Sequence, residues 1–146
     1  MKNILLRNTE NKGPMLRVFI DSDVLFAGST SPNVHSASNV ILQMGEITLI
    51  KVVASEQVIT EVSRNLGEKM PEALPIFTRI VKRCIQVVPD PSSQDVEDFS
   101  TQADWKDVPI LAAAINTRCH YLITFNIRDY CQTRMIFLSC GRGNFY

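Results

Sequence analysis

The run Val18-Phe19-Ile20 ends directly in Asp21-Ser22-Asp23, and this junction constrains the fold more than any other stretch of the chain. Three consecutive apolar residues, two of them β-branched, fit a short strand buried on both faces, which is the habit of parallel sheets. Such a strand needs helices to cover it and a crossover to reach its neighbour, so the remaining sequence must alternate helix with strand. Asp21 then falls at the carboxyl end of the strand, where open α/β sheets hold their ligands. Asp21 and Asp23 would serve equally as caps of a turn or of the next helix. Their meaning therefore depends on acids found elsewhere.

The alternation is present. Ser31-Pro32 predicts a helix start, and Val34, Ala37, Val40, Ile41 and Met44 recur at helical spacing up to a stop at Gly45. Residues 47–53 read as a second buried strand. Ser55 caps a second helix whose apolar face is Val58, Ile59, Val62 and Leu66, with Gly67 as its stop and Glu61 beside the stripe. A further helix from Pro71 presents Leu74, Phe77, Val81 and Cys84, and 85–88 is a third strand. Residues 89–103 carry no clear period and read as a surface connection of the kind that often borders a site. The turn Asp104-Trp105-Lys106-Asp107 opens a helix with Val108, Leu111, Ala112, Ile115 and Cys119 on one face. Strands over 121–124 and 135–138 complete the pattern. It predicts an α/β fold of three αβα layers around a mostly parallel five-stranded sheet with right-handed crossovers.

Composition limits what such a domain can do. With 146 residues, 45% of them hydrophobic, one globular domain over 15–146 can bury a core without staples. Residues 1–14, polar towards Gly13-Pro14, read as a flexible leader. Acids and bases balance at 15 each, so no global field draws the chain to a polyanion or a membrane, and any nucleic-acid contact must use a local patch. Cys84, Cys119, Cys131 and Cys140 form no CxxC pair and have only His35 and His120 as companions, a poor zinc set. Reduced thiols in the cytoplasm are expected. No apolar run approaches the ~20 residues that span a bilayer, and the start is too short in apolar residues for a signal peptide.

The remaining acids give the junction its chemistry. Asp104 and Asp107 open a helix, while Asn126 and Asp129 follow strand four. If strands one and four are neighbours, their turns face each other across a crevice with Glu61 close by. Clustered carboxylates repel unless a cation sits among them, and hard oxygen donors without a His or Cys cluster favour Mg²⁺ or Mn²⁺. One such ion, or two ~3.5–4 Å apart, would activate water and neutralise phosphodiester oxygens. The blander alternatives are helix capping by Asp104 and Asp107, a solvent-facing Glu61, and pairing of Asp129 with Arg128 or Arg134.

Over about 17–138 the chain resembles the PIN-domain family, in particular the small single-domain toxins of prokaryotic toxin–antitoxin pairs. Val18-Phe19-Ile20-Asp21-Ser22-Asp23-Val24-Leu25 is similar to the family's opening strand, with Asp23 where Asn is usual. Ser55 to Val62 is similar to the second motif, Asp107 to Ala114 to the third, and Tyr121 to Tyr130 to the fourth, with Asn126 where Asp is frequent and Asp129 as a later acid. The resemblance implies a Mg²⁺- or Mn²⁺-dependent ribonuclease with Asp21, Glu61 and Asp107 as core ligands and Asn126 or Asp129 completing the site. It implies that Ser22, Asp23 and Thr124 orient those ligands, that the partner is a cognate antitoxin, and that the protein is a homodimer. Arg79, Lys82 and Arg83, spaced i, i+3, i+4, together with Arg128, are candidate RNA contacts, although such a stripe is also an ordinary solvated face.

Two rivals stand beside this reading. Phe19 to Leu25 also fits the aspartate-nucleophile signature of haloacid-dehalogenase-like phosphatases, but that class needs a later lysine, and none follows Lys106. A non-catalytic PIN-like module for RNA or protein binding is the other.

Overall fold

The computed structural model describes residues 15–126 and the backbone of Ile136–Leu138. The leader 1–14, Arg128, Asp129, Cys131, Cys140 and the carboxyl-terminal tail lie outside the described residues. Strands β1 (Arg17–Ile20), β2 (Lys51–Ser55), β3 (Ile85–Val88), β4 (Tyr121–Ile123) and β5 (Ile136–Leu138) form one sheet in the order β3-β2-β1-β4-β5, every pair parallel. Between them run α1 (Ser22–Thr30), α2 (Ala37–Glu46), α3 (Glu56–Lys69), α4 (Leu74–Cys84), α5 (Ser93–Asp98) and α6 (Val108–Asn116).

The order fixes the layers. From β1 the chain steps outward to β2 and then β3, so right-handed crossovers put α1 to α4 on one face, where they pack on one another. It then returns past β1 to β4, which places α5 and α6 on the other face, with α6 against β2 and β4. Phe19, Ile20, Val52, Val53, Leu122 and Ile123 fill the middle layer with at most 2% exposure, each stabilising the fold by on the order of 1.5–3 kcal/mol. Leu111, Ala112, Ala113 and Ala114 are buried along α6, and the alanines keep that helix close to the sheet. Among the described residues no helix is long and apolar enough to cross a membrane.

Local chemistry departs from the sequence pattern at identifiable places. A helix begins at Ser22, immediately after β1, with Asp21 as its N-cap. Ser31 closes that helix, and the cap of α2 is Ser36, whose hydroxyl accepts from Asn39 N–H. Gly45 does not end α2. The helix runs on to Glu46 and closes in a Schellman motif, Thr48 N–H to Gly45 C=O and Leu49 N–H to Met44 C=O, with Thr48 at φ 61. That turn consumes residues 47–49, leaves Ile47 and Leu49 exposed, and delays β2 to Lys51. Likewise α3 passes through Gly67 to Lys69. Inside the 89–103 connection, Ser92 and Asp95 form a capping box that starts the short α5. Cys84 and Cys119 are free thiols, and burial pushes both up from the ordinary thiol range.

Candidate active site

β1 and β4 are neighbours at the point where the strand order reverses, and the loops leaving their carboxyl ends meet there. Asp21 N–H donates to Ile123 C=O at 3.0 Å, extending the ladder one residue past both strands. The Asp21 side chain is 94% buried by its 6% exposure and is fixed on both oxygens. Oδ1 accepts from Ser22 N–H at 2.7 Å, and Oδ2 accepts from the fully buried Thr124 hydroxyl at 2.9 Å. Thr124 Oγ1 in turn accepts from Asn126 N–H at 3.0 Å, which shapes the loop after β4. Glu61, one turn and a half into α3, is reached by Ser22, whose hydroxyl donates to Oε2 at 2.7 Å. Ser22 and Thr124 therefore orient carboxylates, each by a direct bond.

These side chains line one cavity of about 760 Å³. Asp21, Ser22, Asp23, Glu61, Asp107 and Asn126 all contribute to it, whereas Asp104, three residues before Asp107, does not. Thr124 lies beneath the wall, holding Asp21. Arg79, Lys82 and Arg83 are exposed on α4 and line no part of it. Arg83 stands 3.8 Å from Glu46 in an exposed ion pair and borders a second cavity of about 350 Å³ near the opposite ends of β2 and β3, with Lys51 and Cys84.

Several lining residues escaped the motif reading. Gln57, Thr60 and Arg64 share the α3 face with Glu61 at i, i+3, i+4 and i+7, a periodicity that was available in the sequence once Glu61 was chosen. Asp90 comes from the connection after β3. Its Oδ1 accepts from Gln57 N–H at 2.8 Å and so caps α3 in place of Ser55, whose hydroxyl makes no cap bond. Trp105 and Lys106 complete the rim.

The electrostatics follow from the lining. Among the described residues, Asp21, Asp23, Glu61, Asp90 and Asp107 face only Arg64 and Lys106 as cations. The Asp23 carboxyl is pushed up to about 7, first by burial and second by the charge of Asp21, against the backbone N–H bonds from Phe125 and Val24 that favour its ionised form. A cation at this wall would relieve that repulsion. Among the described residues the lining holds no His or Cys and its metal-binding donors are oxygens, which suits Mg²⁺ or Mn²⁺. Among the described residues no three His, Cys, Asp or Glu side chains close into a tight chelate.

A family model described as a PIN domain matches residues 17–128. No curated protein matches the sequence. Among solved structures the fold is similar to VapC20 of Mycobacterium tuberculosis, described as a toxin cleaving the sarcin-ricin loop, at TM-score 0.52 and 11% identity, covering 72% of this chain and 86% of that one. It is similar to VapBC2 of Rickettsia felis, solved bound to a DNA fragment of its promoter, at TM-score 0.65 and 13% identity, covering 85% and 98%. PAE2754 of Pyrobaculum aerophilum gives TM-score 0.55 and 13% identity, covering 88% and 87%.

Proposed function

This chain belongs to the PIN-domain family, and from that premise we propose that it is a Mg²⁺- or Mn²⁺-dependent ribonuclease, the toxin of a toxin–antitoxin pair. The observation that carries the reading is the convergence of Asp21, Glu61, Asp107 and Asn126, from four separate elements, on one cavity. The fold likeness to VapC20 and VapBC2, the first described as a cleaving toxin, supports it. The likeness to VapBC2 supports a cognate antitoxin as partner, and a homodimer in the cytoplasm completes the proposal. The family match gives the phosphatase rival no support.

In this reading Asp21, Glu61, Asp107 and Asn126, with Asp129, hold the ion. Bound there, the divalent ion would supply an acidified water and charge neutralisation at the phosphodiester oxygens. The protein's own part is orientation. Thr124 and the Ser22 N–H fix both oxygens of Asp21, and the Ser22 hydroxyl fixes Glu61, so donor positions are set before substrate arrives. Arg64 and Lys106 at the rim, rather than the α4 stripe, attract the RNA backbone. Hydrolysis by in-line attack of water leaves a 5′-phosphate and a 3′-hydroxyl.

Calorimetric titration with Mn²⁺ tests this, combined with cleavage of an RNA substrate. The wild type should bind Mn²⁺ and cleave only in its presence, and Asp21→Asn should lose both. Cleavage undiminished in chelator, or Mn²⁺ binding unaffected by Asp21→Asn, would sink the assignment. Co-purification with the product of the adjacent upstream reading frame tests the antitoxin.

A further inference from the structure

The chain has a single tryptophan, Trp105, and its side chain is 87% exposed. Its backbone is nonetheless ordered. Asp107 N–H and Val108 N–H both donate to Asp104 C=O, at 2.8 and 3.1 Å, closing the turn that leads into α6. A large apolar ring is thus held out in water by a hydrogen-bonded turn that also carries Asp107. Trp105, Lys106 and Asp107 all line the carboxylate cavity, and Arg64 joins them from α3. Among the described residues Arg64 enters no ion pair. The rim therefore sets an uncovered π face and two cations beside a floor of acids.

We propose that Trp105 is a stacking platform for an unpaired RNA base next to the phosphodiester held at the carboxylates. This rests on the ribonuclease reading. Bases inside an A-form helix are stacked on both faces, and an indole reaches a base face only where the strand is unpaired. An aromatic ring for the base with cations for the backbone is the combination that single-strand grooves use, and it tolerates any sequence because every base has a π face. Arg64 and Lys106 match a polyanion on that same rim.

Trp105 as the only tryptophan makes the test direct. In chelator, where no cleavage occurs, a short single-stranded RNA of mixed sequence should quench the intrinsic fluorescence of the wild type, and a blunt duplex of the same sequence should not. Trp105→Ala should weaken single-strand binding about tenfold to a hundredfold, the range of one base–aromatic stack, while Trp105→Phe keeps most of the affinity. With Mn²⁺ present, the Trp105→Ala loss should appear mainly in KM. Equal quenching by duplex, or single-strand affinity unchanged in Trp105→Ala, overturns the platform even if the wild type cleaves RNA. The platform also falls if Trp105→Ala loses only the affinity for a protein partner, since the indole then belongs to a protein interface. Conversely, quenching and the Trp105→Ala loss in a protein that never cleaves would leave the platform standing and remove the nuclease.

Discussion

Asp23 sits where three demands meet. Its Oδ1 accepts from Val24 N–H at 2.7 Å and its Oδ2 from Phe125 N–H at 3.1 Å, so it ties the start of α1 to the loop after β4. An asparagine there offers one acceptor oxygen and would lose one of these two bonds. Burial and Asp21 nevertheless push the carboxyl up to about 7 from an ordinary 3.8. The folded state therefore binds a proton that the unfolded chain has already released. In the metal-free protein this group's contribution to stability is full below pH 3.8 and is lost as pH rises towards 7. Thermal melts in chelator should show the midpoint falling across that window, and Asp23→Asn should flatten the slope. An unchanged slope in that variant would assign the pH dependence to other groups. Asp23 was legible as an acid beside the site, but not as a link to Phe125, because the 102-residue separation is bridged only once β1 and β4 pair.

At the scale of elements, two glycines read as helix stops both lie inside helices, and their surroundings give them opposite roles. A Cβ on Gly45 would stand 2.8 Å from Val52 Cγ2 and 3.0 Å from the Cys84 carbonyl oxygen, so its absence lets α2 lie close to β2 and the end of α4. A Cβ on Gly67 would meet nothing within 4 Å. The same substitution should therefore change sign. Gly45→Ala should destabilise by about 1–3 kcal/mol through overpacking, and Gly67→Ala should stabilise by about 0.5–1 kcal/mol through backbone entropy. Urea unfolding of both variants checks this, and two shifts of like sign would contradict the packing of α2. Helix spacing in the sequence located α2, α3, α4 and α6 but not α1, and the ends were set elsewhere. Thr48, in left-handed backbone where glycine is usual, and Asp90, capping α3 from beyond β3, are tertiary choices that no local pattern carries.

Across the whole molecule the sheet separates two jobs. Its carboxyl edge gathers the acids, whereas its amino edge is tied by Arg17. There the backbone N–H donates to His120 Nδ1 at 2.9 Å, Nε donates to Thr117 C=O at 3.0 Å, and Nη1 reaches Gln86 Oε1 at 3.3 Å. One side chain thus links β1, β3 and the end of α6. The parallel sheet and the meeting of its carboxyl-end loops followed from apolar runs that end in Asp21-Ser22-Asp23 and in Thr124-Phe125-Asn126. The residues that hold the sheet together from behind did not, since nothing local marks Arg17 as a clamp. Arg17→Ala should cost about 1–2 kcal/mol for its two lost side-chain hydrogen bonds and leave Mn²⁺ binding intact, because its partners all lie at the far end of the strands. Asp21→Asn should do the reverse. Asparagine can still cap α1 and meet the Thr124 hydroxyl, and removing one charge relieves Asp23, so the metal-free fold should be as stable as wild type or more so. The wild type and Arg17→Ala should both gain about 2.7 kcal/mol when free Mn²⁺ is a hundredfold above its Kd, and Asp21→Asn should gain none. Paired melts with Mn²⁺ and with chelator read both quantities in one experiment. If Arg17→Ala also abolished the Mn²⁺ increment, the two edges would be coupled through β1, and the site could not be treated as a feature of the carboxyl edge alone.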